Sequence, residues 1–100
     1  MSPHSRRKGV RGERSVAVAF EKAGATRLHN LEGQGDLLVE LSDVLYHVEA
    51  KRRERLELMT WIRQAETEAD SRMIPLVVFR QSRQPWRVVL RLEHFIEVAS

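Results

Sequence analysis

Cysteine is absent from this chain of 100 residues, which excludes a disulfide framework and a metal site built on thiolates. No apolar run is long enough to cross a membrane. The first eight residues are basic and lack the apolar stretch of a secretory signal peptide. These absences agree with a cytoplasmic protein. With 42% hydrophobic residues, the chain has the length and content of a single globular domain, residues 1–100, with a modest core.

Positive charge is clustered along the chain more strongly than the net charge of +3 indicates. Three basic groups are typical of a protein that binds a polyanion such as nucleic acid, although any one of them is equally well explained as a solvated surface. Residues 1–10 are predicted to be a flexible basic arm. The groups are Arg6, Arg7, Lys8, Arg11 and Arg14; Lys51, Arg52, Arg53 and Arg55; and Arg80, Arg83, Arg87 and Arg91.

Apolar and polar residues alternate over residues 37–48, on both sides of the pair Ser42-Asp43. Alternation with a period of two indicates half-buried strands, and a Ser-Asp pair is typical of a turn. A hairpin centred on this turn places Asp36 opposite Glu49, with Lys51 on the same face as Glu49. Carboxylates opposite each other in an antiparallel pair lie roughly 5 Å apart and repel each other. The pattern therefore calls for a compensating cation.

The remaining patterns predict an α/β domain with the element order α-β-β-β-α-β-β and no internal repeat. Helices are predicted from apolar residues at helical spacing, and strands from short apolar runs between turn residues. The predicted elements are a helix closed by Gly24, a strand at 26–30, the hairpin, a helix from Leu58 to near Arg72, strands at 76–79 and 86–92, and a short helix from Glu93.

Glu13 lies in the first turn of the first predicted helix, on the same stripe as Val16 and Phe20. A carboxylate on a buried stripe is costly unless a cation pairs with it, so Glu13 is a candidate ligand. The alternative is that Glu13 stabilises the N-terminus of the helix through the helix dipole, and spacing alone favours that alternative.

Asp36, Glu49 and Lys51 together have the chemistry of a metal-dependent hydrolase. Mg²⁺ prefers oxygen ligands, often one or two carboxylates with water and substrate phosphate, and Mn²⁺ accepts the same ligands. A metal held in this way lowers the pKa of a bound water and stabilises charge on a phosphate. The lysine would orient the attacking water or neutralise the phosphate. The alternative is an exposed Glu-Lys pair beside an unrelated aspartate, but the agreement of strand pattern and register favours the metal centre.

Gln64 and His29 are weaker candidates for auxiliary roles. Gln64 shares a helix stripe with Trp61 and Glu68, apart from the apolar stripe, where it would bind the site or a phosphate or else be ordinary surface. His29 precedes the glycine-containing loop that leads to Asp36 and is a candidate for DNA contact or proton transfer, although a lone histidine at a strand end is more often a surface residue. The other histidines offer no ligand spacing with it, so we expect no zinc site.

Three segments, in this order and spacing, resemble the PD-(D/E)xK nuclease superfamily: residues 8–14 (KGVRGER), Gly35-Asp36 and residues 48–51 (VEAK). Within the superfamily the chain looks most like the archaeal-type and bacteriophage Holliday junction resolvases, over nearly its whole length. The resemblance implies a restriction-endonuclease-like core, with a central mixed five-stranded sheet flanked by helices.

The resemblance also implies roles for individual residues. Metal, Mg²⁺ with Mn²⁺ as a substitute, would be bound by Glu13, Asp36, Glu49 and the Ala50 carbonyl, and Lys51 would be the catalytic lysine. Gln64 falls where related nucleases carry a glutamine. The implied activity is hydrolysis of four-way DNA junctions to 5′-phosphate products by a two-fold homodimer, in a bacterial, archaeal or phage-infected cell. Phosphates of the DNA would be bound by Arg6, Arg7, Lys8, Arg11, Arg14, Arg52, Arg53 and Arg55.

The chain departs from the family pattern at two points. Gly35 replaces the proline of the superfamily's name, and the loop at 32–34 lacks the serine of archaeal resolvases. Two alternatives stay open: a nuclease of the same superfamily with another DNA substrate, and a DNA-binding protein that has kept the fold without the chemistry. The complete set of acids and the lysine argues against the second. Met59, Trp61 and Ile74 are candidates for a dimer interface.

Overall fold

The computed structural model describes residues 14–31 and 36–100. In this part of the chain five strands form one sheet in the order β1-β2-β3-β4-β5. Three of the strand pairs are antiparallel, and β3 runs parallel to β4. The bounds are β1 Arg27–Asn30, β2 Asp36–Leu41, β3 Val44–Arg52, α2 Leu58–Glu68, β4 Ile74–Arg80, β5 Arg87–Val89 and α3 Leu92–Ala99; α1 covers residues 14–22 of the described chain. The predicted α/β class and mixed five-stranded sheet are confirmed.

The β2–β3 hairpin has the register predicted from the sequence. Leu41 pairs with Val44, and Asp36 pairs with Glu49. Ser42 and Asp43 have φ values of 51° and 65°, the two positive angles of a two-residue turn whose twist matches that of the strands. The turn therefore fixes the pairing that brings the two carboxylates together.

The two faces of the sheet are covered by different helices. One face packs its apolar residues, among them Leu37, Val39 and Val48, against Val16 and Phe20 of α1. The opposite face carries Asp36, Glu49 and Lys51, as strand alternation requires. On that face α2, which connects the parallel strands β3 and β4, packs on the sheet.

Trp61 of α2 is a core residue, so its prediction as an interface candidate is wrong. Its side chain is 5% exposed and packs on Phe79 of β4, with ring centroids 6.3 Å apart. Ile74 is also buried, whereas Met59 is 62% exposed. The stripe of α2 that contains Trp61 therefore faces the sheet, and Glu68, two turns further along this stripe, lies beside the acids.

Two predicted boundaries are wrong. Helix α2 ends at Glu68 rather than near Arg72, because the Asp70 carboxylate accepts a hydrogen bond from the Arg72 backbone N–H at 2.8 Å and holds a turn that competes with the helix. The last strand ends at Val89 rather than Leu92. Arg91 instead precedes α3 and accepts a backbone hydrogen bond from Phe95.

The predicted cap of α1 is confirmed. Gly24 has a φ of 92°, and the N–H of Ala25 donates to the carbonyl of Phe20 at 3.0 Å. Glycine adopts this left-handed conformation without steric cost, which ends the helix and returns the chain toward β1. Among the described residues, no helix has the length and hydropathy needed to cross a membrane.

Candidate active site

Asp36, Glu49 and Lys51 form a buried polar group where β2 begins and β3 nears its end. Asp36 is 3% exposed, Glu49 is fully buried and Lys51 is 9% exposed. The Lys51 ammonium lies 3.1 Å from Oε1 of Glu49. Period-two alternation along β3 puts Glu49 and Lys51 on one face, and the hairpin register adds Asp36 to that face. The structure therefore brings together the three residues that the sequence pattern predicts.

Two further residues, His47 and Glu68, complete this cluster. His47 lies on β3 two residues before Glu49, so it shares the same face, and it is 3% exposed. Its Nε2 atom lies 3.2 Å from Oε2 of Glu68 and 3.9 Å from Oδ2 of Asp36. Glu68 is the last residue of α2. One ligand atom from each of Asp36, His47, Glu49 and Glu68 falls within 4.8 Å of the others.

Asp36 and Glu49 keep carboxylate oxygens that accept no hydrogen bond, whereas Glu68 is hydrogen-bonded to His47 and Gln64. Oδ1 of Asp36 and both carboxylate oxygens of Glu49 are buried and accept no hydrogen bond among the described residues, although Oε1 of Glu49 is close to the Lys51 ammonium. A buried charge with an unsatisfied oxygen is costly in free energy. The cluster thus holds three acids against one lysine, and it is short of positive charge.

Burial raises the pKa of Asp36 to about 6, and the Glu49 carboxyl beside it acts in the same direction. The Asp36 carboxyl in turn raises the pKa of Glu68, with burial as a smaller cause. Shifts of this kind arise where carboxylates share a site without a cation. They are common at functional centres, where a bound ion or substrate removes the repulsion.

A divalent cation fits the donor set of this cluster. Carboxylate oxygens that are buried, unpaired and close together are the ligands that divalent metals use in proteins. The imidazole nitrogen of His47 adds a ligand type that transition metals accept. Asp36, Glu49, Glu68 and His47 would hold the ion, and its charge would replace the donors that the acids lack.

The remaining predicted site residues are not all in this cluster. Glu13, which precedes the described part of α1, lies outside the described residues, as do Arg6, Arg7, Lys8 and Arg11. The Ala50 side chain packs in the core on the α1 side, and the role of its carbonyl stays a prediction. Gln64 donates a hydrogen bond to Oε1 of Glu68 at 3.4 Å, so it touches the cluster through Glu68. His29 is exposed on β1, opposite Leu38, and its auxiliary role stays a prediction.

Arg14 at the start of the described part of α1 and Arg52 at the end of β3 lie near one another. Arg14 and Arg52, which belong to different predicted groups, line one concavity with Ser15 and Val18. Arg53 is half-buried, and its guanidinium donates to the carbonyl of Arg52 at 3.0 Å. Arg55 is exposed in the segment that follows β3. This surface is suited to an anionic ligand.

His47 and Glu68 are not among the site residues predicted from the sequence. Strand alternation places residue 47 on the face of Glu49 and Lys51, so this pattern alone indicates His47. Glu68 shares a helix stripe with Gln64 and Trp61, which the sequence pattern predicts to lie apart from the apolar stripe. The burial of Trp61 shows that this stripe faces the sheet.

Comparisons with known proteins agree with this architecture. A family model described as a phage putative PDDEXK endonuclease matches residues 4–99. The fold is similar to a solved structure of the Archaeoglobus fulgidus protein Hjc, a Holliday junction resolvase from an archaeal hyperthermophile. The TM-score is 0.60 and the identity 23%, with 83% of this chain and 72% of that chain covered. No curated protein matches the chain.

The family match spans almost the whole sequence and includes the three residues that the structure brings together at the hairpin. PD-(D/E)xK nucleases use divalent metals, and the donor set of the cluster fits such an ion. The chain is therefore a nuclease of the PD-(D/E)xK type and belongs to the phage putative PDDEXK endonuclease family.

Proposed function

We propose that this protein is a Mg²⁺-dependent, structure-selective endonuclease that resolves four-way DNA junctions by phosphodiester hydrolysis. The observation that carries the proposal is the opposed pair Asp36 and Glu49, both buried with unpaired oxygens, beside the ammonium of Lys51. A protein that merely binds DNA has no use for such a pair, because the repulsion between the acids destabilises the fold unless a cation is bound.

Each residue of the centre has a distinct task in this proposal. Asp36 and Glu49 would hold Mg²⁺, with Glu13 and the Ala50 carbonyl as further ligands from the family pattern. When bound, the ion would supply a lowered pKa for a water and stabilisation of the charge on the phosphate. Lys51 positions the attacking water and neutralises the phosphate from the same face. The product carries a 5′-phosphate.

The substrate in this proposal is bound mainly through its phosphates. Arg14, Arg52, Arg53 and Arg55 would contact the backbone, together with the basic groups of residues 6–11. Contacts of this kind position a nucleic acid without reading its sequence and weaken strongly with salt. Selection of a branched substrate then depends on shape rather than on bases. The similarity to a resolvase fold supports a four-way junction as that shape.

A two-fold homodimer is part of the proposal, because two opposed strands of a junction must be cut. Helix α3 has no buried residue and exposes Leu92, Phe95 and Ile96 on its apolar side. Together with the exposed Val88 these side chains form an apolar surface of the type that mediates protein association. We assign the dimer contact to this surface, and the cytoplasm of a bacterial, archaeal or phage-infected cell as the location.

A cleavage assay in Mg²⁺ on a synthetic four-way junction, a linear duplex and a flap tests the proposed substrate. We expect paired, symmetric cuts in the junction and little cutting of the other two DNAs. Equal cutting of duplex and junction would replace the resolvase by another endonuclease of the same superfamily. Binding of junctions with no cutting of any DNA would leave a DNA-binding protein that has kept the fold.

A further inference from the structure

We propose that His47 and Glu68 are metal ligands, and that the imidazole makes this centre bind Mn²⁺ in preference to Mg²⁺. The inference rests on the proposed function for the presence of a metal at Asp36 and Glu49. It adds two residues that the superfamily pattern in this sequence does not contain, and it names the metal that they select.

The geometry of His47 carries the first step. The same ring nitrogen, Nε2, faces both Glu68 Oε2 at 3.2 Å and Asp36 Oδ2 at 3.9 Å. The ring is 3% exposed, so it is held by its surroundings rather than by solvent. A nitrogen directed between two carboxylates lies where a ligand of a shared cation would lie. One ligand atom from each of the four side chains of the cluster lies within 4.8 Å of the others.

The unpaired oxygens of the neighbouring acids carry the second step. The hydrogen bond between His47 and Glu68 satisfies those two residues alone. It leaves Oδ1 of Asp36 and Oε2 of Glu49 buried without a donor. A cation among the four side chains supplies the missing charge to all of them, which a hydrogen bond between two of them does not.

The identity of the ligand atoms carries the third step. Mg²⁺ is a hard ion that takes oxygen ligands and retains several waters. Transition metals accept imidazole, and Mn²⁺ is the one whose preference for carboxylate oxygens is most like that of Mg²⁺. A centre with three carboxylates and one imidazole therefore discriminates between Mn²⁺ and Mg²⁺ through His47, while the acids bind both ions.

Metal binding to the full chain without DNA tests this assignment, using calorimetry with each ion alone. We expect Mn²⁺ to bind the wild type at least about tenfold more tightly than Mg²⁺, and His47→Asn to remove most of this difference by weakening Mn²⁺. Glu68→Gln should weaken both ions. The matched control is His94→Asn, because His94 lies on α3 outside the cluster and its loss should leave both affinities unchanged.

Pulsed EPR of bound Mn²⁺ gives a second readout that a purely structural role would not change. Modulation from a directly bound nitrogen should be present in the wild type and in His94→Asn, and absent in His47→Asn. A wild-type spectrum without nitrogen coupling, or unchanged Mn²⁺ affinity in a folded His47→Asn, would overturn the inference. The wild-type spectrum decides the matter even if that variant fails to fold.

The metal-binding and DNA-cleavage results together distinguish a failure of this inference from a failure of the proposed function. A protein that binds Mn²⁺ through nitrogen but cuts no DNA keeps the metal assignment and loses the nuclease proposal. One that resolves junctions with Mg²⁺ and shows no nitrogen coupling keeps the nuclease proposal and loses the assignment of His47.

Discussion

Asp36 and Glu49 are direct cross-strand partners in the β2–β3 hairpin, and both carboxylates are buried. Lys51 balances the charge of Glu49 at 3.1 Å, whereas Asp36 keeps a buried oxygen without a hydrogen bond. The register that makes the hairpin stable therefore also creates local repulsion. Metal binding, pH and stability are linked through this pair, because a cation removes the repulsion that folding introduces.

The pH dependence of stability without metal should report on Asp36. Its pKa is raised from 3.8 to about 6 in the folded protein, so the folded state binds more protons than the unfolded state between these values. The contribution of Asp36 to stability is therefore lost as pH rises through this window, by on the order of 3 kcal/mol above pH 6. Urea unfolding in EDTA at pH 5 and pH 8 measures the part of this loss that falls above pH 5, about 1.4 kcal/mol.

Asp36→Asn should remove that dependence, and it should make the metal-free protein more stable than the wild type at pH 8. Mg²⁺ should stabilise the wild type and have little effect on the variant. Asp43→Asn is the matched control, because Asp43 lies exposed in the turn of the same hairpin. If the stability difference between Asp36→Asn and wild type does not change with pH, the buried pair is not repulsive.

Lys51→Met should separate catalysis from metal binding. The side chain keeps its length but loses the ammonium that lies beside Glu49. We expect junction cleavage to fall by about 10² to 10⁴-fold, as is usual when a group that assists proton transfer or charge neutralisation is removed. Affinity for Mg²⁺ should be unchanged or higher, since Glu49 keeps its full charge for the ion.

Single-turnover cleavage and calorimetry measure the two effects of Lys51→Met. Lys22→Met, on the exposed surface of α1, should behave as wild type in both. Wild-type cleavage by Lys51→Met would rule out a chemical role for this lysine.

The basic surface should be visible in the salt dependence of DNA binding. Replacing Arg52, Arg53 or Arg55 with Gln should weaken junction binding and lower the slope of log K against log salt by about 1 for each lost phosphate contact. Arg72→Gln is the control, because the Arg72 guanidinium is paired with Asp70 at 2.8 Å. Equal slopes for all four variants would show that the DNA binds elsewhere.

The apolar surface of α3 should control the oligomeric state. Phe95→Glu places a charge among the exposed Leu92, Ile96 and Val98, and we expect the dimer dissociation constant to rise by at least about 100-fold. Light scattering over a concentration series measures this change. Met59→Glu, on the exposed side of α2, should leave the dimer intact. A dimer that is insensitive to Phe95→Glu and disrupted by Met59→Glu would assign the contact to α2.

The β2–β3 hairpin shows how much of the candidate site can be predicted from a local sequence pattern. Alternation around Ser42-Asp43 has one register that buries the apolar face, so the opposition of Asp36 and Glu49 follows from the sequence. The position of Glu68 cannot be predicted from a local pattern in this way. Its place beside His47 depends on how α2 packs on the sheet and on where α2 ends, which are long-range consequences of Trp61 contacting Phe79 and of Asp70 closing the helix.

Cleavage of a four-way junction by Asp36→Ala, measured together with junction binding in Mg²⁺, tests the central claim most directly. The variant loses a carboxylate of the proposed metal centre and changes none of the basic residues. We predict junction affinity within about threefold of wild type and cleavage reduced by at least about 10³-fold, the loss expected when metal assistance worth several kcal/mol is removed. Cleavage at the wild-type rate, or loss of binding together with cleavage, would contradict a catalytic metal centre at Asp36.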